Sequence, residues 1–340
     1  MTVLGPVPAT ALGATMAHEH VFFDLSCYFS PDPDDVDGAL AAAPVAPERR
    51  WWLHQHPMSC RANLIQDSVA LAVEEVGYFK AAGGGTLVDV TTTGIAPNPL
   101  GLVEVARHTG VHLVAGTGFY LAHSYPASVA DLSVEALADH LRRELREGMA
   151  GTNVRAGLIG ELGLSDPPAP VELRVLAAAA RVQRELDCAV ILHPSWGRAG
   201  GLQAALLAEE AQLNPSRTAL SHLDNRFRDD VDAYRQVGAR GFFLDLDCWG
   251  RDAYYPHVDS QLPSDAERMR AVLALLDAGL EAQLLFAQDI CFTYELVRYG
   301  GHGYAHVLRS IRPRLERCGV RPATIERILV DNPRTWLAGA

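Results

Sequence analysis

Short apolar runs alternate with longer amphipathic stretches along the whole chain. The apolar runs are about four to eight residues long and continuous in hydrophobicity, which is typical of parallel strands covered on both faces. They predict eight strands, over residues 15–22, 86–91, 112–116, 156–161, 189–193, 218–222, 241–245 and 283–289.

The stretches between these runs have helical periodicity. They predict helices over residues 66–82, 133–149, 171–186, 229–237, 264–278, 304–317 and 322–330, with weaker patterns over 100–109 and 202–211. A helical segment therefore follows each strand, and a (β/α)₈ TIM barrel is the simplest way to close eight such units. A doubly wound open sheet is the alternative, but no G-x-G-x-x-G turn follows the first strand.

One long irregular segment, residues 27–63, interrupts this alternation and contains five prolines. It follows strand one on the side where barrels place their active sites, so we expect it to form a lid or a wall of the pocket. No internal repeat or low-complexity linker divides the chain. The sequence therefore predicts a single domain over residues 1–340.

The composition is that of a globular protein, since 49% of the 340 residues are hydrophobic and 21% are charged. The net charge is −12 and no basic block is present, which argues against a nucleic-acid or anionic-membrane partner. No run approaches the roughly 18 apolar residues of a membrane span, and residues 1–13 lack a signal-peptide pattern. The six cysteines form no C-x-x-C pair, as in reduced thiols of a cytoplasmic protein.

The candidate chemistry lies at the ends of the predicted strands. Strand one ends in His18-Glu19-His20, whose two imidazoles share one face because side chains alternate along a strand. Four other strands end in residues of metal-ligand type: Glu161, His193, His222 and Asp289. The carboxyl ends of barrel strands meet at one mouth, so we expect these six side chains to converge there.

This set of side chains indicates two divalent cations. Four imidazoles and two carboxylates suit Zn²⁺, the favoured ion, or Mn²⁺ or Co²⁺, better than Ca²⁺ or Mg²⁺. Six ligands exceed the needs of one tetrahedral ion and fit two ions that share a bridge. His54 and His56 form a second H-x-H pattern, but no strand precedes them, and we do not expect them to bind the catalytic metal.

The chain resembles the phosphotriesterase family of the amidohydrolase superfamily over nearly its whole length. The resemblance rests on His18-Glu19-His20, Ile159-Gly160-Glu161, His193-Pro194, Ser221-His222-Leu223-Asp224, Asp289 and Gly300-Gly301-His302-Gly303-Tyr304. It implies a TIM barrel that holds two divalent metal ions.

Within this family the chain is most similar to the animal phosphotriesterase-related branch. Phosphotriesterases proper bridge their metals with a carboxylated lysine on strand four, but here Glu161 has that position and the only lysine, Lys80, precedes strand two. The resemblance therefore implies a glutamate bridge. It also implies hydrolysis of small N-acyl amino or aminosulfonic acids, N-acetyltaurine among them, whereas the wider family implies lactones and esters.

We expect a metal-dependent hydrolase in which a hydroxide shared by the two ions attacks the carbonyl of a small amide, ester or lactone. Asp289 is the predicted catalytic residue, since it would bind the inner ion and pass a proton to the leaving group. The other ligands would form an inner pair, an outer pair and a bridge: His18 with His20, His193 with His222, and Glu161.

Three alternatives remain at this point. The first is a lactonase or a phosphotriesterase of the aryldialkylphosphatase type, because a fold does not determine the substrate. The second is a catalytically inactive metal-binding scaffold. The third, a Ser-His-Asp hydrolase, is disfavoured because the chain has no G-x-S-x-G elbow around Ser195.

Residues that follow the strands are candidate substrate contacts. Two ions would leave the mouth with a net positive charge, so a compact anionic small molecule could bind there. Arg198 and Arg226 are the candidate anion contacts. The candidate apolar wall consists of Tyr28, Tyr120, Trp196, Trp249 and Tyr255. Barrels of this type often dimerise, so a second copy of the chain is a further expected partner.

Overall fold

Eight parallel strands form one sheet, and their order in the sheet is their order in the chain. The computed structural model describes residues 1–339, so Ala340, the last residue of the predicted domain, lies outside the described part. The strands are β1 (Ala14–Glu19), β2 (Gly84–Asp89), β3 (His112–Thr117), β4 (Leu158–Gly163), β5 (Ala189–His193), β6 (Thr218–Leu220), β7 (Phe243–Leu246) and β8 (Leu284–Phe286). Helices separate successive strands, which confirms the predicted TIM barrel rather than the doubly wound sheet.

Strands β1 and β8 meet at the seam of the barrel. The Asp289 amide donates to the His18 carbonyl over 3.1 Å. The buried Glu19 carboxylate accepts from the amides of Gln288 and Ile290 over 2.7 and 3.0 Å. The seam therefore holds the ends of the two strands side by side at the C-terminal mouth.

A one-turn helix, Leu223–Arg226, follows β6. Within residues 1–339, eight longer helices follow the eight strands in turn. They are α1 (Val69–Ala81), α2 (Pro99–Thr109), α3 (Val134–Arg146), α4 (Pro170–Leu186), α5 (Gly197–Glu210), α6 (Val231–Gly238), α7 (Asp265–Asp277) and α8 (Arg312–Arg317). Polar caps begin several of them; Ser133 Oγ, for example, accepts from the Ala136 amide over 3.2 Å. Within residues 1–339 no helix is both long enough and apolar enough to cross a bilayer.

Helix α5 begins at Gly197 and not at residue 202, where the sequence pattern begins. Glycine disfavours helix, so its glycines hide the first turn from a pattern based on propensity. A Cβ at Gly200 would lie 2.2 Å from the Ser195 carbonyl oxygen, and one at Gly201 would lie 2.6 Å from the Phe227 ring. Close packing against the rest of the protein therefore requires these glycines.

The C-terminal region departs further from the predicted pattern. Wide π turns at Val307–Ile311 and Arg327–Asp331 interrupt the two helices predicted there. After α9 (Pro322–Glu326) the structure adds α10 (Asn332–Ala338), which the sequence does not predict.

Helix α10 closes the N-terminal end of the barrel through Trp336. This side chain is fully buried and its Nε1 donates to the Val190 carbonyl over 3.2 Å. Arg217, which precedes β6, donates to the Trp336 carbonyl over 2.8 Å. The end of the chain is thus fixed against the starts of the strands.

The segment 27–63 covers the opposite end of the barrel. It contains the one-turn helices Ala39–Ala42 and Arg50–Leu53. Its buried side chains form one apolar cluster with residues of the barrel loops, and this cluster includes Trp52, Leu53, Leu64, Tyr120, Tyr255 and Phe292. The segment is therefore seated on the mouth by hydrophobic packing.

Candidate metal centre

The six predicted ligands meet at the C-terminal mouth of the barrel. Three of them lie within strands β1, β4 and β5, but His20, His222 and Asp289 follow the ends of shorter strands than the sequence predicts. His222 and Asp289 have left-handed backbone conformations, with φ of 57° and 51°. This conformation lies outside the β region, so neither residue continues its strand.

Glu161 lies between two groups of ligands. Its Oε1 is 3.3 Å from His20 Nε2, whereas its Oε2 is 3.5 Å from His18 Nε2 and 2.9 Å from His193 Nδ1. Asp289 Oδ1 completes the inner group at 3.3 Å from His20 Nε2 and 3.5 Å from His18 Nε2. In the outer group, His222 Nε2 is 2.8 Å from His193 Nδ1.

This donor set fits a pair of divalent cations. Four imidazole nitrogens and two carboxylates face one another at distances that ligands of a common ion adopt. His18 is fully buried, and among the described residues neither of its ring nitrogens has a hydrogen-bond partner. A buried polar group without such a partner is costly, and coordination of a cation would remove that cost.

The electrostatics of the cluster favour positive charge. Burial raises the pKa of Asp289, but Arg251 and the imidazoles outweigh it and lower the pKa to about 2. Burial lowers the pKa of His20, but hydrogen bonds to Asp289 and Glu161 outweigh it and raise the pKa to about 9. Burial lowers the pKa of His193 to about 4. The carboxylates therefore attract either a proton or a metal ion to His20, whereas the lowered pKa of His193 keeps its ring neutral at pH 7.

Asp247, which follows β7, supports the ligands, and sequence reasoning missed this role. Asp247 Oδ1 accepts from His222 Nδ1 over 2.9 Å, and Asp247 Oδ2 is 3.2 Å from His18 Nδ1. Asp245 is also fully buried, but among the described residues neither of its oxygens has a hydrogen-bond partner. Burial and the charge of Asp247 raise the pKa of Asp245 well above its usual range. The Asp-x-Asp spacing at a strand end was the signal available for Asp247.

Arg251 is the second functional candidate that the sequence did not indicate. It donates to Asp289 Oδ2 over 2.8 Å and to the Asp289 carbonyl. The same guanidinium donates to the two oxygens of Glu295 over 2.6 and 2.9 Å. Arg251 therefore fixes one oxygen of Asp289 and leaves the other facing the histidines.

A cavity of about 490 Å³, including its open mouth, lies next to this centre. Five of the predicted substrate contacts line it, namely Tyr28, Tyr120, Trp196, Arg226 and Tyr255. Met58 of the irregular segment also lines it, so this segment forms part of the cavity wall, as its position after strand one indicates. The Tyr28 hydroxyl donates to the Tyr120 hydroxyl over 3.0 Å.

Arg198 and Trp249 do not lie among the residues that line this cavity. Arg198 is about half-exposed and forms an ion pair with Asp230 at the start of α6. Trp249 is fully buried in the barrel core and packs on Phe286 with ring centroids 5.3 Å apart. Both follow strands in sequence, but their side chains turn away from the mouth, so the structure corrects these two predictions.

Comparison with known proteins places the chain in a family. The model of the phosphotriesterase family matches residues 1–337. A Salmo salar protein named N-acetyltaurine hydrolase is 37% identical over 340 residues, which are 99% of this chain and 97% of the relative.

Solved structures agree with this match. A resiniferatoxin-binding protein from Rhodobacter sphaeroides has a TM-score of 0.95 at 38% identity, with 99% of this chain and 94% of that chain covered. A mutant PTE-like lactonase from Deinococcus radiodurans has a TM-score of 0.77 at 28% identity, with 99% of both chains covered. The resemblance seen in the sequence is thus confirmed: the chain belongs to the phosphotriesterase family and is a hydrolase.

Proposed function

We propose that the protein is a metal-dependent hydrolase of small amides, esters or lactones, with N-acyl amino or aminosulfonic acids as the favoured substrates. The observation that carries the proposal is the placement of Glu161: its Oε1 faces His20 of the inner group, and its Oε2 lies closest to His193 of the outer group. A carboxylate placed in this way is suited to hold two cations at once.

In this proposal two divalent ions bind in the two groups of ligands, with Zn²⁺ favoured and Mn²⁺ or Co²⁺ as alternatives. The inner ion would be held by His18, His20 and Asp289, the outer ion by His193 and His222, with Glu161 bridging. When bound, such ions lower the pKa of water towards neutrality and polarise a carbonyl oxygen.

Asp289 is the proposed catalytic residue. Its Oδ1 faces the imidazoles, whereas its Oδ2 accepts from Arg251, so the carboxylate has one fixed orientation. From this position Oδ1 orients a water molecule, takes its proton and passes that proton to the leaving amine or alcohol. The aromatic side chains of the cavity give the substrate an apolar wall beside this centre.

The order of substrates follows the similarity to known proteins. The relatives named N-acetyltaurine hydrolase match at 34% to 37% identity over nearly full length, which favours an amide with an anionic amine portion. The structure of the mutant PTE-like lactonase matches at 28% identity, which makes lactones and phosphotriesters the alternative.

A catalytically inactive scaffold is the second candidate function. It draws support from the similar structure of a resiniferatoxin-binding protein, whose name refers to binding and to no reaction. The presence of all six ligand-type residues together with an oriented Asp289 supports the hydrolase instead.

A substrate panel tests the proposal. Protein stripped with a chelator and reloaded with Zn²⁺, Mn²⁺ or Co²⁺ is offered N-acyl amino acids, N-acetyltaurine, aryl esters, lactones and a phosphotriester. We expect turnover that the chelator abolishes and the metal restores, with an acyl compound as the best substrate. Preference for the phosphotriester over every acyl compound would overturn the ranking, and binding without turnover of any compound would favour the scaffold.

A further inference from the structure

Two buried arginines line the cavity, and their surroundings differ. Arg251 is paired with Asp289 and with Glu295, so its charge is balanced within the protein. Arg226 is only 5% exposed, yet none of the carboxylates of residues 1–339 forms an ion pair with it. Two acidic groups act on this charge from a distance, but each has another partner: Asp224 pairs with Arg268, and Asp247 accepts from His222 Nδ1.

The Arg226 guanidinium is nevertheless held in a defined position. Its Nε donates to the Ser195 carbonyl over 2.8 Å and its Nη2 donates to the Pro194 carbonyl over 2.9 Å. The group lies over the Trp196 ring at 4.3 Å from the centroid. These contacts orient the cation, but none of them is a direct ion pair, and a buried charge of this kind is costly until an anion pairs with it.

Arg226 and the carbonyl groups that hold it are also close in sequence to the outer group of the candidate metal centre. These two carbonyl groups directly follow His193, a member of the outer group. Arg226 itself lies one helical turn after His222, the other imidazole of that group, and its amide donates to the His222 carbonyl over 3.0 Å. A single helical turn rises only about 5.4 Å, so the span between the two sites is short.

We propose that Arg226 binds an anionic group of the substrate, and that the cavity therefore selects compact acyl compounds whose carboxylate or sulfonate lies a few bonds from the scissile carbonyl. This inference rests on the proposed hydrolase function and adds a charge requirement to it. The planar guanidinium matches the oxygens of either anion. Neutral lactones and phosphotriesters would leave Arg226 without an anionic partner, so they are poorer substrates.

A matched pair of compounds tests the charge requirement. N-acetyl-2-aminoethanesulfonate is compared with the N-acetyl-2-aminoethyl methyl sulfone, which has nearly the same shape without the charge. On the metal-loaded enzyme we expect kcat/KM to favour the sulfonate by about 10- to 100-fold, the value of a charge-assisted hydrogen bond. In Arg226→Gln, which keeps an N–H donor but removes the charge, this preference falls to within about threefold.

Arg198 supplies the control, because it is the other arginine that the sequence nominates and the structure places it on the surface against Asp230. Arg198→Gln is expected to keep the full preference for the sulfonate. Arg226→Lys retains the charge without the planar fork, and we expect an intermediate preference. Inhibition by ethanesulfonate gives a readout apart from turnover, and its Ki should rise about tenfold or more in Arg226→Gln.

The failure of this inference can be told apart from the failure of the hydrolase proposal by a neutral aryl ester. If wild type and Arg226→Gln both hydrolyse the ester but wild type does not distinguish sulfonate from sulfone, the anion site is wrong and the hydrolase stands. If Arg226→Gln loses sulfonate, sulfone and ester activity equally, while Arg226→Lys restores all three equally, the residue is structural and the inference is overturned. If metal-loaded wild type hydrolyses none of the three compounds, the hydrolase proposal itself fails.

Discussion

The two ends of the barrel interior are built from the same strands but carry opposite chemistry. At the N-terminal end, which we call the floor, Leu158 of β4 and Ala189 of β5 pack with Trp336 in an apolar cluster. At the C-terminal end, the same two strands present Glu161 and His193 to other polar groups. Each of these strands, of six and five residues, therefore has an apolar residue at the floor and a candidate metal ligand at or near the mouth.

The difference between the ends separates stability from chemistry. At the floor, the burial of hydrocarbon surface stabilises the folded state. The mouth instead concentrates buried carboxylates and imidazoles, whose desolvation opposes folding and is only partly offset by their mutual attraction. We therefore expect substitutions at the mouth to change metal binding and activity, and substitutions at the floor to change the free energy of unfolding.

The largest effect is expected for Glu161→Ala at the mouth. Removal of the proposed bridge should lower the metal content towards one ion or none, and should reduce kcat/KM about a thousandfold or more. Metal analysis and kinetics on the same preparation measure both quantities. An unchanged content of two ions per chain would contradict the assignment of Glu161 as the bridge.

The next effect is expected for Trp336→Ala at the floor. Loss of this fully buried side chain should lower the free energy of unfolding by about 3–5 kcal/mol, measured by denaturant titration. At a temperature where the variant remains folded, its metal content and kcat/KM should match those of wild type. Trp51→Ala is the control, because Trp51 is 71% exposed and its removal should change stability by less than about 0.5 kcal/mol. A selective loss of metal from Trp336→Ala would show that the two ends are not independent.

A smaller effect is expected for Asp247→Asn, because this residue orients ligands and is not a proposed ligand itself. It accepts from His222 Nδ1 and lies beside His18 Nδ1, so the change should weaken metal binding or activity by about 10- to 100-fold. Asp245→Asn is the matched control two residues earlier, since among the described residues neither Asp245 oxygen accepts a hydrogen bond. Equal losses in the two variants would indicate that the pair acts through charge and not through orientation.

The sequence predicted the mouth of the barrel better than the floor. The eight strands and the meeting of the six ligand-type residues followed from continuous apolar runs that end in histidine or acid, because parallel barrel strands share a mouth. The exact ends of β6 and β8 did not follow, since the left-handed conformations of His222 and Asp289 leave no mark on hydrophobic periodicity. Helix α10 was not predicted, because it is fixed by a contact between Trp336 and β5, which is distant in sequence.

The arginines show the limit of sequence reasoning for the site. Arg198 and Arg226 both follow strands, and the sequence treats them alike. Arg198 forms an ion pair with Asp230, which lies in a different loop, whereas Arg226 donates hydrogen bonds to the backbone after β5. Arg251 has no sequence signal at all, because its partners come from the loop after β8. Such pairings are decided by tertiary contacts between loops.

The smallest effect is expected for His54→Ala in the segment 27–63. His54 Nε2 lies 2.6 Å from Asp252 Oδ1 and so connects this segment to the loop after β7, but the Asp252 side chain is 54% exposed and the ion pair is screened by solvent. The Tyr254 amide still donates to the His54 carbonyl in the variant, and the apolar cluster around Trp52 and Leu53 is untouched. We therefore expect kcat/KM to change by less than about fivefold, whereas Leu53→Ala, which opens a cavity in that cluster, should have the larger effect on both stability and KM. A stronger effect of His54→Ala than of Leu53→Ala would mean that the ion pair holds the segment 27–63 on the mouth. This segment would then be stabilised by electrostatics, whereas the floor is stabilised by hydrophobic packing.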